Sequence, residues 1–133
     1  MPNTKPVLTA DDVRRIANAA EAEAKKNQWA VTIAIVDDGG HLLWLQRLDG
    51  AAPISSYIGP EKARAAALGR RESKIYEDMI NQGRTAFLSA PLAGMLEGGV
   101  PITIDGHAVG AIGVSGVKSS EDAQIARAGI AAL

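Results

Sequence analysis

The chain has 133 residues, 47% of them hydrophobic but only 4% aromatic, with 14 Lys and Arg against 15 Asp and Glu. That length suits one domain with one real core. The near-balance of charge excludes a basic footprint for nucleic acid or for an anionic membrane surface, and the absence of cysteine excludes disulfides, thiolate metal sites and a thiol nucleophile.

Residues 1–8 read as a flexible N-terminal arm carrying Pro2 and Pro6, and residues 9–133 as a single domain. The polar start lacks the apolar centre of a secretory signal, and no run is long enough to span a membrane, so the expected location is cytoplasmic. Thr9-Ala10-Asp11-Asp12 has the form of a capping box with Asp at the third position. Val13, Ile16, Ala17, Ala20 and Ala24 then follow at helical spacing as one apolar stripe. Val31 to Val36 reads as a strand, Asp37-Asp38-Gly39-Gly40 as its turn, and His41 to Arg47 as the returning strand. After a loop, a helical region runs from about Ser55 to Leu68. Gly59-Pro60 interrupts it, so the helix begins at Pro60 or kinks there. Ser73 is placed to cap a third helix that Gly83 ends. Residues 84–94 read as irregular, with Met95-Leu96 as a brief strand after them.

The centre of the pattern is Glu97 to Gly116. Two β-branched runs flank Asp105-Gly106, a strong hairpin signal because both turn residues must accept positive φ. Gly110, Gly113 and Gly116 weaken the second strand, which points to something packed very close to its backbone. Gly110 and Gly113, three apart, should face opposite sides of the sheet. Ser119-Ser120-Glu121-Asp122 resembles a cap for a last helix through Ala123, Ala126, Ile130 and Leu133. Hairpin-linked strands imply an antiparallel sheet with helices on its faces.

Several residues are candidates for chemistry. His41 and His107 each follow a hairpin turn, a placement that disfavours a converging metal pair, so no metal site is expected. Arg47 and Asp49 bracket a Gly-Ala loop, where they either bind a carboxylate or brace the loop. Lys62 and Arg64 near a helix start are poorly placed for the helix dipole, so they either lie on a solvated face, the favoured reading, or meet an anion or a neighbouring acid. Gly98-Gly99 offers backbone N–H groups for an anion and borders a pocket in this reading. Tyr57, Tyr76, Met79 and Met95 are of types that ligate heme iron, although Tyr76 and Met79 fall at core spacing. No P-loop or dinucleotide fingerprint is present, and Gly113-Val114-Ser115-Gly116 lacks the spacing of a nucleophile elbow.

Arg47-Leu48-Asp49-Gly50-Ala51, Lys62-Ala63, Gly98-Gly99-Val100-Pro101, Gly110 to Gly116, and Asp122 with Ile125 to Gly129 together resemble the GlcG/HbpS family of heme-binding proteins. The resemblance runs from about Thr9 to the end. It implies an α/β (α+β) fold, a profilin-like three-layer α/β/α domain with a five-stranded antiparallel sheet. It also implies homo-oligomers built from dimers, commonly octamers, with heme bound by some members. No single axial ligand carries over, and the Gly59-Pro60 interruption departs from the family's more regular helix.

These readings converge on an oligomeric small-ligand-binding protein, with heme or a related tetrapyrrole as the leading ligand. Arg47, Asp49, Lys62, Glu97, Gly98, Gly99 and Asp122 form the candidate ligand-binding set, and no residue is assigned a catalytic role. An enzyme, or an accessory to one, acting on a small hydroxy- or oxo-acid is the alternative, and a ligand-free structural oligomer the second. Convergence of Lys62, Glu97 and Asp122 around one cleft would favour the enzyme. An apolar slot would favour heme.

Overall fold

A computed structural model describes residues 2–133, so Met1 of the expected arm lies outside the described residues. The element order is α1 (Ala10–Lys26), β1 (Thr32–Asp37), β2 (Leu42–Arg47), α2 (Ser55–Gly69), α3 (Ser73–Asn81), a 3-10 turn (Thr85–Ser89), β3 (Gly99–Ile104), β4 (His107–Ser115) and α4 (Ser119–Ile130). The strands form one antiparallel sheet in the order β2-β1-β4-β3. It has four strands, which corrects the expected five: Met95-Leu96 is not a strand, and its apolar side chain Met95 is buried against Ala65 and Tyr76 instead.

Local signals account for the ends of several elements. Thr9 and Asp12 close the predicted capping box, with Asp12 N–H donating to Thr9 Oγ1 at 3.1 Å and Thr9 N–H to Asp12 Oδ2 at 2.9 Å. The five predicted stripe residues are the five that α1 buries. Asp105 (φ 50°) and Gly106 (φ 79°) make the tight β3–β4 turn, both with the positive φ it requires. The arm is partly docked: Leu8 packs on the core and Lys5 pairs with Asp38.

Three local readings change. α2 begins at Ser55, so Pro60 is interior and Lys62 lies in mid-helix and not near its start. Ser73 is the first residue of α3 rather than its cap, and its hydroxyl is used elsewhere. α4 is capped at Lys118, whose N–H donates to Glu121 Oε1 at 3.3 Å.

The two faces of the sheet are packed differently. On one face Ile33, Ile35, Ile112 and Val114 meet Ile16 of α1 and Ile125 of α4, a core of branched side chains. On the other, Val36 and Ala111 meet only Ala63, Ala66 and Ala67 of α2. Small residues let α2 lie almost backbone to backbone on β4. A Cβ on Gly113 would sit 2.2 Å from Gly59 O and 2.4 Å from Ala63 N, while one on Gly110 would meet Leu8 on the opposite side. α2 is also covered from outside, since Ala65 packs under Tyr76 of α3, whose ring stacks on Phe87 at 5.1 Å.

This packing separates two adjacent glycine substitutions. Gly113→Ala must push α2 off the sheet and should cost about 1–3 kcal/mol, the usual range for overpacking. Gly59→Ala meets nothing closer than Thr32 Cγ2 at 3.4 Å and gains helix propensity of roughly 0.5–1 kcal/mol. Chemical denaturation should therefore show Gly113→Ala clearly destabilised and Gly59→Ala neutral or better. Equal losses would contradict the asymmetry.

Candidate functional site

Lys62 extends from α2 into the corner where β3, β4 and α4 meet. Its ammonium donates to Val114 O at 3.0 Å and to Asp122 Oδ2 at 3.0 Å. The two side chains are 4% and 3% exposed, so the ion pair is fully buried. Asp122 lies in the first turn of α4, and its other oxygen accepts the Val117 N–H at 3.1 Å. One carboxylate thus fixes the β4–α4 connection and receives a cation from the helix on the opposite face of the sheet.

The Gly98-Gly99 segment closes over this pair. Gly98 has φ 133°, a region that favours glycine, and a Cβ there would lie 2.6 Å from Val114 O and 2.8 Å from Lys62 Nζ. A Cβ on Gly99 would lie 2.2 Å from Lys62 O. Ser73 holds the segment down: its hydroxyl accepts Gly99 N–H at 2.8 Å and donates to Leu96 O. Glu97 joins the corner from outside, its N–H donating to Glu77 Oε1 at 3.0 Å and its carboxylate accepting from Ser119 at 3.3 Å.

Five of the seven predicted residues, Lys62, Glu97, Gly98, Gly99 and Asp122, therefore meet. They meet in a packed corner where Lys62 and Asp122 satisfy each other. Both glycines are buried against backbone, so a methyl on Gly99 is a problem for the fold as well as for any ligand. Sequence reasoning missed Ser73 as the residue that ties the glycine segment; a serine beside a helix start reads as a cap, and nothing local marks this one otherwise. Arg47 and Asp49 lie apart, both exposed, in a cleft of about 400 Å³ between the C-terminal end of α1 and the β2–α2 loop.

The two histidines stay at the surface. His41 pairs with Asp37 of its own turn at 3.2 Å, and His107 lines a cleft of about 330 Å³ with Lys5 and Arg70. Among the described residues no group of three or more His, Cys, Asp or Glu side chains is placed to hold a metal ion. A third cleft, about 280 Å³, lies between α3 and the 3-10 turn with the segment after it, and Ile80, Leu88, Leu92 and Met95 give it apolar walls.

Burial pushes the Asp122 carboxyl above its ordinary value, against the pull of the Lys62 ammonium and the Val117 N–H. A carboxyl raised in the folded state contributes most favourably when protonated, so its share of the stability falls as pH rises through the folded pKa. Removing the nearby cation leaves burial opposed only by the Val117 N–H. Lys62→Met should raise the Asp122 pKa further, read from its carboxyl carbon shift in an NMR titration. A fall would show that Lys62 is not the chief attraction.

Comparison with known proteins agrees with this architecture. Residues 8–131 match the family model described as "Haem degrading protein HbpS-like". The chain is 58% identical to protein GlcG of Escherichia coli (strain K12) over 112 residues, covering 84% of each. Its backbone matches the crystal structure of a Streptomyces reticuli HbpS double mutant at TM-score 0.89 and 32% identity, over 99% of this chain and 90% of that one. It matches the PduOC:heme complex at TM-score 0.87 and 27% identity, over 96% of both chains. No helix among the described residues is long and apolar enough to cross a membrane. From the matched span and the identity to GlcG, this chain belongs to the HbpS-like family.

Proposed function

We propose that this protein is an oligomeric binder of heme or a related tetrapyrrole. The observation that carries the reading is the match along nearly the whole chain to a domain solved with heme bound. The α3 cleft, about 280 Å³, has room for one edge of a porphyrin: Ile80, Leu88 and Leu92 give it apolar walls, and Met95, largely buried against Ala65 and Tyr76, lies at its border with a thioether of the type that heme iron accepts. Heme bound there would supply redox or oxygen chemistry. The chain's own part is to exclude water from one porphyrin face with those side chains.

Assembly is part of the reading. Leu42 and Leu45 on β2, Ile54 just before α2 and Tyr57 on it are exposed apolar side chains. A second copy covering them would remove that surface from water.

Hemin titrated into the purified protein should give a saturable Soret band from a species that scatters light as a multiple of 13.8 kDa. Replacing His41 and His107 together by Ala should keep most of that band, whereas Met95→Leu should shift or weaken it. No saturable band would overturn the binding reading. Complete loss in the double histidine variant would place the site at the hairpin turns instead.

A further inference from the structure

The cleft that holds Arg47 and Asp49 is a separate matter. Its floor is already internally satisfied. Gln46 Nε2 donates to Glu21 Oε1 at 3.1 Å, and Lys25 pairs with Glu21 at 3.4 Å. The loop needs no side-chain brace, because backbone bonds hold it: Leu48 N–H to Val31 O at 2.9 Å and Ala51 N–H to Leu48 O at 3.2 Å. Arg47 pairs with Thr32 through the β1–β2 ladder, but the side chains of Arg47 and Asp49 make no hydrogen bond or ion pair with each other or with any described residue. Of the two readings of this pair, the loop brace is therefore not what the geometry contains. Trp29, packed on the main core, forms an apolar wall beside them.

We propose that this cleft binds a small amphoteric molecule, a free α-amino acid with an apolar side chain. Its volume of about 400 Å³ lies within the usual roughly 300–1,000 Å³ of ligand sites. Arg47 presents a planar fork matched to a carboxylate. Asp49, two residues on, presents an acceptor for an ammonium, and Trp29 a flat surface for the side chain. One unpaired cation and one unpaired anion on one cleft wall select a ligand that carries both charges over one that carries either. The inference does not rest on the heme reading, which places the porphyrin at the α3 cleft.

The test uses the full chain with Trp44→Phe, which leaves Trp29 as the only tryptophan. Adding L-leucine should change the Trp29 fluorescence saturably. Isocaproate, which lacks the amine, and isoamylamine, which lacks the carboxylate, should each bind at least tenfold more weakly. Arg47→Ala and Asp49→Ala should each weaken L-leucine binding at least tenfold while leaving the melting temperature and the hemin titration unchanged. The proposal is overturned if neither L-leucine nor L-phenylalanine gives a saturable change. It is equally overturned if either half-ligand binds as tightly as L-leucine, or if both alanine variants bind it normally.

Discussion

The arrangement of this molecule depends on a buried ion pair that joins helices on opposite faces of one sheet. Lys62 comes from α2, Asp122 from α4, and the ammonium also takes the carbonyl of Val114 between them. Taking both charges out of water is expensive, and a buried pair of this kind often adds little net stability compared with well-packed apolar residues. The raised Asp122 pKa expresses that cost. What the pair supplies is position. It sets the height of α2 over β4, the angle at which the chain leaves β4 for α4, and the surface on which Gly98-Gly99 must lie.

From that follows the use of small residues. With Lys62 anchored below it, α2 runs so close to β4 that Gly113, Ala111, Ala63 and Ala66 leave no space for larger side chains. The opposite face has no such anchor in its middle and is filled with isoleucine and valine. One sheet therefore has a tight layer and a deep layer. The tight helix carries a further cover, α3 with Tyr76 and Phe87, and beside it the apolar cleft around Met95.

Much of this was legible in the residues. The α1 stripe, both hairpin turns and the opposed glycines of β4 follow from periodicity and turn chemistry, and each stands as read. The fifth strand failed because Met95-Leu96 is apolar for another reason: Met95 fills the space under α3. Lys62 and Asp122 were marked by their position near element breaks, but their pairing spans sixty positions of sequence, and no local pattern encodes such a contact. Arg47 and Asp49 were legible as an open choice between brace and binding. Only the backbone bonds of the loop show that no brace is needed.

The most direct test of this account is a double-mutant cycle on the buried pair, measured by chemical denaturation at neutral pH. Breaking it from either side, as Lys62→Met or Asp122→Asn, should cost about 3–5 kcal/mol, because each leaves a buried charge or polar group without its partner. The double variant should cost well under the sum of the two, with a coupling of more than about 1 kcal/mol. Costs that add to within about 0.5 kcal/mol, the behaviour of independent sites, would contradict the claim that these two residues act as one connection between the layers.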